Sequence, residues 1–164
     1  MMVVVADTSP INYLVLIGKI ALLRQLYQRI VIPDEVFSEL IDEGAPPVVR
    51  EWATQHNTWI EIRKSPSPDA ALMDLDAGEA SAIALAAIET DVLLLIDESA
   101  ARLEASRRGI PHTGTLGVLR RAAIENLVDL PSALNRLLET NFRVSKSLVA
   151  ALLAEDADRK RQDG

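Results

Sequence analysis

The chain has 164 residues and a mass of 17.9 kDa, room for one domain. It is 49% hydrophobic but only 4% aromatic, so the core must be built from Ala, Leu, Ile and Val, and a disordered or collagen-like chain is excluded. The absence of cysteine excludes disulfides, thiolate metal sites and cysteine nucleophiles, and no apolar run approaches a bilayer-spanning length. The start, MMVVVADTSP, has no basic segment and meets Asp7 too early for a secretory signal, so a cytoplasmic placement is expected. The net charge of −7 argues against a nucleic-acid partner, but it is unevenly placed: residues 1–80 carry 12 acids and 6 bases, residues 81–164 carry 12 acids and 11 bases. Arg102, Arg107, Arg108, Arg120 and Arg121 remain available to face a polyanion.

Strand and helix signals alternate along the chain. Met2 to Ala6 reads as a buried strand ended by Asp7-Thr8-Ser9-Pro10. Ser9 before Pro10 suits an N-cap with proline at the first helical position, and the helix runs through Leu16 to a stop at Gly18. Ile20 to Tyr27 is helical, and Arg29 to Ile32 is a β-branched strand bounded by Pro33. Asp34 caps a helix through Ile41 with Val36, Phe37, Leu40 and Ile41 at helical spacing. A helix over 47–55, a strand from Trp59 to Ile62 and a Pro/Ser-rich loop from Lys64 to Asp69 follow. A long Ala-rich helix spans Asp76 to Glu89, then a strand Val92 to Ile96, a helix near 98–108 and a short strand near Ile110. Helices near 114–124, 131–139 and 145–154 complete the pattern. Residues 1–155 are expected to form a single domain, and 156–164 a frayed, charged tail.

Alternating βα units with buried strands predict a parallel sheet covered by helices on both faces, with ligands bound beyond the carboxyl ends of the strands. Asp7 and Asp97 each directly follow a hydrophobic strand, which directs attention to them. Asp76 and Glu79 sit three apart at the start of a helix, where they suit either a structural capping box or a functional pair. Glu39 lies between apolar neighbours in VFSEL, an awkward place for a merely solvated charge. Glu98 suits the positive end of the helix that follows Asp97. If Asp7, Glu39, Glu79 and Asp97 converge, their mutual repulsion raises their pKa values or demands a cation. A donor set of oxygens alone selects a hard ion, Mg²⁺ or Mn²⁺. Such an ion generates a hydroxide nucleophile and clamps a scissile phosphate against an acidic protein surface.

The segments VADTSPI, IVIPDEVFSEL, LDAGEASAIALA, LLLIDESAARLEA and GTLGVL together resemble a PIN domain over residues 3 to 140. The DTSP start and the GE pair resemble a bacterial and archaeal subgroup related to VapC-type toxins. The resemblance implies a Rossmann-like three-layer α/β/α sandwich with a central parallel sheet and a Mg²⁺- or Mn²⁺-dependent endoribonuclease acting on RNA. It also implies a cognate antitoxin, a homodimer and no membrane. Residue by residue, it places Asp7, Glu39, Glu79 and Asp97 as the four acids. Asp7 and Asp97 would contact the metal directly, with Glu79 in the ligand set, and the remaining acids would act through water. Thr8 or Ser9 matches a small hydroxyl residue after the first acid. Glu98 stands where many relatives carry Asp or Asn, and its longer side chain shifts that charge.

Other constellations are weaker. His56 and His112 have no ligand-like spacing, which speaks against a zinc site or a Ser–His hydrolase. Gly114 and Gly117 lack the Lys-Ser/Thr pair of a phosphate loop, so close packing is the expected role, with Thr113 or Thr115 left as a phosphate contact at a helix start. Arg102 is expected to pair with an acid or touch substrate backbone, and Trp52 and Trp59 to serve the core or a subunit contact. The alternative to catalysis is an inactive PIN-like module that binds nucleic acid or protein. A phosphoacceptor receiver domain needs a lysine after its last strand, and none lies between Lys64 and Lys146.

Overall fold

The computed structural model describes residues 1–163. Two compact units divide the chain, Met1–Thr115 and the segment from Leu116 onward. The first unit holds a five-stranded parallel sheet in the order β3-β2-β1-β4-β5: β1 Val3–Ala6, β2 Ile30–Pro33, β3 Ile60–Arg63, β4 Val92–Leu95 and β5 His112–Thr113. Central β1 pairs with β2 through Val5 opposite Val31, and with β4 through Val3–Ala6 opposite Val92–Leu95. The fold is the expected three-layer α/β sandwich. The inner strands β1, β2 and β4 read as unbroken apolar runs because their side chains alternate between two covered faces, whereas the edge strands β3 and β5 carry polar residues. Val5, Val31 and Leu94 enter one core with Ile83, Leu85 and Ala101, while Val4, Ile32 and Leu95 are equally buried outside that cluster.

Helices α1 (Thr8–Leu16), α2 (Ala21–Tyr27), α3 (Asp34–Leu40), α4 (Pro47–Thr54), α5 (Ala77–Ala87) and α6 (Ser99–Arg107) connect the strands. Helix α5 is buried from Gly78 to Ala86 and packs on β1, β2, β4, α3 and α6. Its alanines allow that approach on every side, as expected of a helix apolar all round. Burying Ile83 and Leu85 within it stabilises the fold by about 1.5–3 kcal/mol each.

Several boundaries differ from the sequence reading. Helix α1 starts at Thr8, with Asp7 rather than Ser9 in the N-cap position, because the Ser9 hydroxyl is bonded elsewhere. Gly18, at φ 72°, ends the α1 segment as expected. Pro33 occupies the N-cap position of α3, leaving Asp34 in its first turn. The last strand is His112–Thr113 instead of a strand near Ile110, since Ile96 N–H bonds to Thr113 O and Leu94 N–H to Pro111 O.

In the second unit lie α7 (Thr115–Ile124, beginning at the unit boundary), α8 (Leu130–Leu138) and α9 (Lys146–Asp163). The segment expected to fray is helical through Asp163, and Gly164 lies outside the described residues. Asp156 is buried there and bonded to Arg159 and, at 2.9 Å, to Lys160; Arg120 and Glu155 join α7 to α9 at 2.7 Å. The Asp156 pairs join opposite charges three and four residues apart on one face of α9, where the helix brings them together. No helix among the described residues is long and apolar enough to cross a membrane.

Candidate metal centre

The carboxyl edge of the sheet gathers the acids. Asp7 N–H donates to Leu95 O at 2.9 Å, which aligns the end of β1 with β4 and sets Asp7 at the same edge as Asp97. Helix α3 supplies Glu39, and the start of α5 supplies Asp76 and Glu79. Asp7, Glu39 and Asp76 each offer a carboxylate oxygen, all within 4.8 Å of one another, a spacing suited to one metal ion. These three side chains line a cavity of about 310 Å³ that Glu79 and Glu98 also border.

Asp7 is 3% exposed, and its Oδ1 has no hydrogen-bond partner among the described residues. Burial, opposed by the nearby Thr8 N–H and reinforced by Asp76, Glu79 and Glu39, holds its carboxyl well above the usual range. Burial also raises Glu39, against the pull of its hydrogen bond from Thr8, with Asp76 adding to the rise. Glu79 is pushed up to about 7, first by burial and then by Asp76. A buried carboxylate with an orphaned oxygen, facing two more acids, is costly unless protonated or paired with a cation. The donors are all oxygens, so the set fits a hard divalent ion and not a thiophilic one.

Local structure explains each placement. Glu39 Oε1 accepts from Gly78 N–H at 3.0 Å, and Thr8 Oγ1 donates to Glu39 Oε2. A Cβ at position 78 would lie 2.7 Å from Glu39 Oε1, so the glycine of the GE pair is what lets α5 approach that carboxylate. Asp76 caps α5 by accepting from Glu79 N–H at 2.8 Å, and Glu79 Oε1 accepts from Asp76 N–H at 3.3 Å. The structural pairing expected of these two is therefore present, and it coexists with their place in the cavity.

Asp97 stands apart from the three-carboxylate group. Its Oδ2 accepts from Ser9 Oγ and from Thr115 Oγ1, both at 2.7 Å, and its Oδ1 accepts from Thr115 N–H at 2.7 Å. Thr115 is fully buried with its hydroxyl and amide both committed to Asp97, so neither is open to the phosphate contact considered for it. Gly114 takes the packing role expected of it, since a Cβ there would lie 2.6 Å from Asp97 Oδ1. Glu98 occupies the N-cap position of α6 without a side-chain cap bond and borders the cavity. Arg102 is exposed and, against the expected ion pair, has none among the described residues. The Trp52 and Trp59 rings meet at 6.1 Å between centroids, with Trp59 in the core.

The sequence leaves Asp76 open between a helix cap and a functional pair with Glu79 and does not place it among the four converging acids, and it gives no role to Asn12 and Tyr13, which also line the cavity. The spacing 8, 9, 12, 13 on one helix was the available signal, since those positions share a face.

A sequence model described as a PIN domain matches residues 3–157. With that match over nearly the whole chain, the parallel sheet and the acids at its carboxyl edge, the chain belongs to the PIN-domain family. PIN domains are generally nucleases, and the acidic group here is compatible with a divalent metal. A search of curated proteins gave no match.

Proposed function

We propose that this PIN domain is a Mg²⁺- or Mn²⁺-dependent endoribonuclease of VapC-like type, the toxin half of a toxin–antitoxin pair. The observation that carries the catalytic part is buried Asp7, whose Oδ1 has no hydrogen-bond partner among the described residues and whose carboxylate shares a site with Glu39 and Asp76. When bound, a divalent cation there lowers the pKa of water and offsets charge on a scissile phosphate.

The chain's own groups have distinct parts. Asp7, Glu39 and Asp76 hold the cation, and Thr8 and Gly78 fix the Glu39 carboxylate for that purpose. Glu79, with a pKa of about 7, is poised to accept the proton of the attacking water at neutral pH. Asp97, bonded to Ser9 and Thr115, positions the start of α1 and so the Thr8 hydroxyl. Arg102, one turn beyond Glu98, supplies a positive charge for the RNA backbone. Attack in line on the phosphodiester leaves a 5′-phosphate and a 3′-hydroxyl. The toxin role, the cognate antitoxin, the homodimer and the cytoplasmic placement rest on the family resemblance and on the need to restrain a free ribonuclease.

Purified protein is incubated with a mixed RNA pool in Mn²⁺, Mg²⁺ or EDTA, beside an Asp7→Asn variant. Cutting that needs metal and is lost in the variant is the expected result. Cutting that survives both EDTA and Asp7→Asn overturns the assignment. Neither cutting nor Mn²⁺ binding leaves the inactive binding module as the better reading.

A further inference from the structure

Beside the acidic cavity lies a groove of about 600 Å³, walled by Glu35, Ser38, Asp42 and the turn from Gly44 to Pro46. Thr8, Asn12 and Glu39 border both, so the groove adjoins the reaction centre. Its size is that of a small-ligand site. No Lys, Arg or His lines it, while Glu35, Glu39 and Asp42 do. A phosphate laid there meets like charge, so the sugar–phosphate chain is turned away and a neutral group with hydrogen-bond donors is favoured.

Nucleobases differ in that respect. Adenine, cytosine and guanine carry an exocyclic amino group, which carboxylates and amides accept from, and uracil carries none; adenine and cytosine set theirs beside a ring-nitrogen acceptor. Asn12 has the only side-chain N–H among the residues lining either cavity. It lies one turn beyond Thr8 on α1, half-buried, and its amide makes no hydrogen bond within the described residues. The Thr8 hydroxyl beside it is already committed to Glu39. An amide presents a donor and an acceptor side by side, the pattern that adenine complements and that no carboxylate can supply.

We propose that Asn12 is a specificity-determining residue, reading an amino-bearing base of a nucleotide next to the cleaved bond in this groove. The inference rests on the ribonuclease reading above. Mapping cut sites in a mixed RNA pool compares bases within one reaction, so the ratio does not depend on how much active protein is present. The wild type should favour adenine or cytosine over uracil at one position flanking the cut by about tenfold, the discrimination a paired amide edge supplies. Asn12→Leu, similar in size and without hydrogen-bonding groups, should bring that ratio close to one. A wild type that cuts beside all bases equally, or an Asn12→Leu variant with the ratio unchanged, overturns the inference while leaving the nuclease standing. If the variant cuts too little to map, competition between short adenine and uracil oligoribonucleotides by fluorescence anisotropy decides, and an unchanged binding ratio overturns it. A wild type that neither cuts nor binds RNA removes the nuclease reading and this inference with it.

Discussion

Asp76 and Glu79 hold one another through their backbones, Glu79 N–H on Asp76 Oδ1 at 2.8 Å and Asp76 N–H on Glu79 Oε1 at 3.3 Å, and both side chains border the acidic cavity. One hydrogen-bond pair therefore does two jobs. It caps the start of α5, and it sets two carboxylates beside Asp7 before any cation arrives. The positive end of the α5 dipole favours that arrangement.

Asp76→Ala removes both roles, and Asp76→Asn removes only one. The alanine variant should lose about 1 kcal/mol of stability in EDTA, the usual cost of an N-cap, whereas asparagine caps nearly as well as aspartate. Both should weaken Mn²⁺ binding. Urea unfolding in EDTA and Mn²⁺ titration calorimetry separate the two effects, and equal destabilisation by Asn and Ala would show that Asp76 is no cap.

Gly78→Ala is expected to leave the fold intact and damage the site. Alanine in a helix is favoured over glycine by about 0.5–1 kcal/mol. The new Cβ, however, would lie 2.7 Å and 2.8 Å from the two Glu39 oxygens, the movable end of a side chain. The carboxylate should swing aside, giving unchanged or slightly higher thermal stability in EDTA together with weaker Mn²⁺ binding. Tight Mn²⁺ binding by the variant would show that Glu39 is not needed there.

The metal-free protein should lose stability as pH rises. Glu79 has an ordinary pKa of 4.5 and is pushed up to about 7 by burial and Asp76, so the fold favours its protonated form. That contribution is fully present below pH 4.5 and is lost as pH climbs to about 7. Asp7 and Glu39 are raised in the same sense. Denaturation in EDTA across this range should slope downward, and Glu79→Gln should flatten the slope. Saturating Mn²⁺, which binds the deprotonated acids, should also reduce it. A wild type and a Glu79→Gln variant with identical slopes would count against the perturbed Glu79.

Thr115→Val deletes a buried hydroxyl that donates to Asp97 at 2.7 Å while keeping the side chain's shape. Loss of a hydrogen bond to a charged group costs about 1.5–3 kcal/mol, and urea unfolding should show a drop of that order. Gly114→Ala should be at least as harmful, because its Cβ would also lie 3.2 Å from the rigid Ile96 carbonyl. A neutral effect of both changes would mean that the Thr115 hydroxyl adds nothing to what Ser9 Oγ and the Thr115 N–H already hold.

Reading residues in order was enough for the architecture. The apolar runs VVVA and VLLL, the helix after each strand and the stop at Gly18 are local signals, and each produces its element wherever the chain goes afterwards. A strand that ends in aspartate likewise announces an acid at the sheet's edge, as for Asp7. The grouping of the acids is not local. Glu39 reaches Asp7 and Asp76 because α3 packs on α5 across Gly78, and Asp97 is drawn to Ser9 and Thr115 by β1, β4 and β5 lying side by side. Asp76 was legible as a cap because capping depends on a neighbour three residues away. Its proximity to Asp7 depends on the sheet register, which brings together residues far apart in the chain. Which carboxylates share one cation site is decided by distances of a few ångströms, and those exist only once the layers have packed.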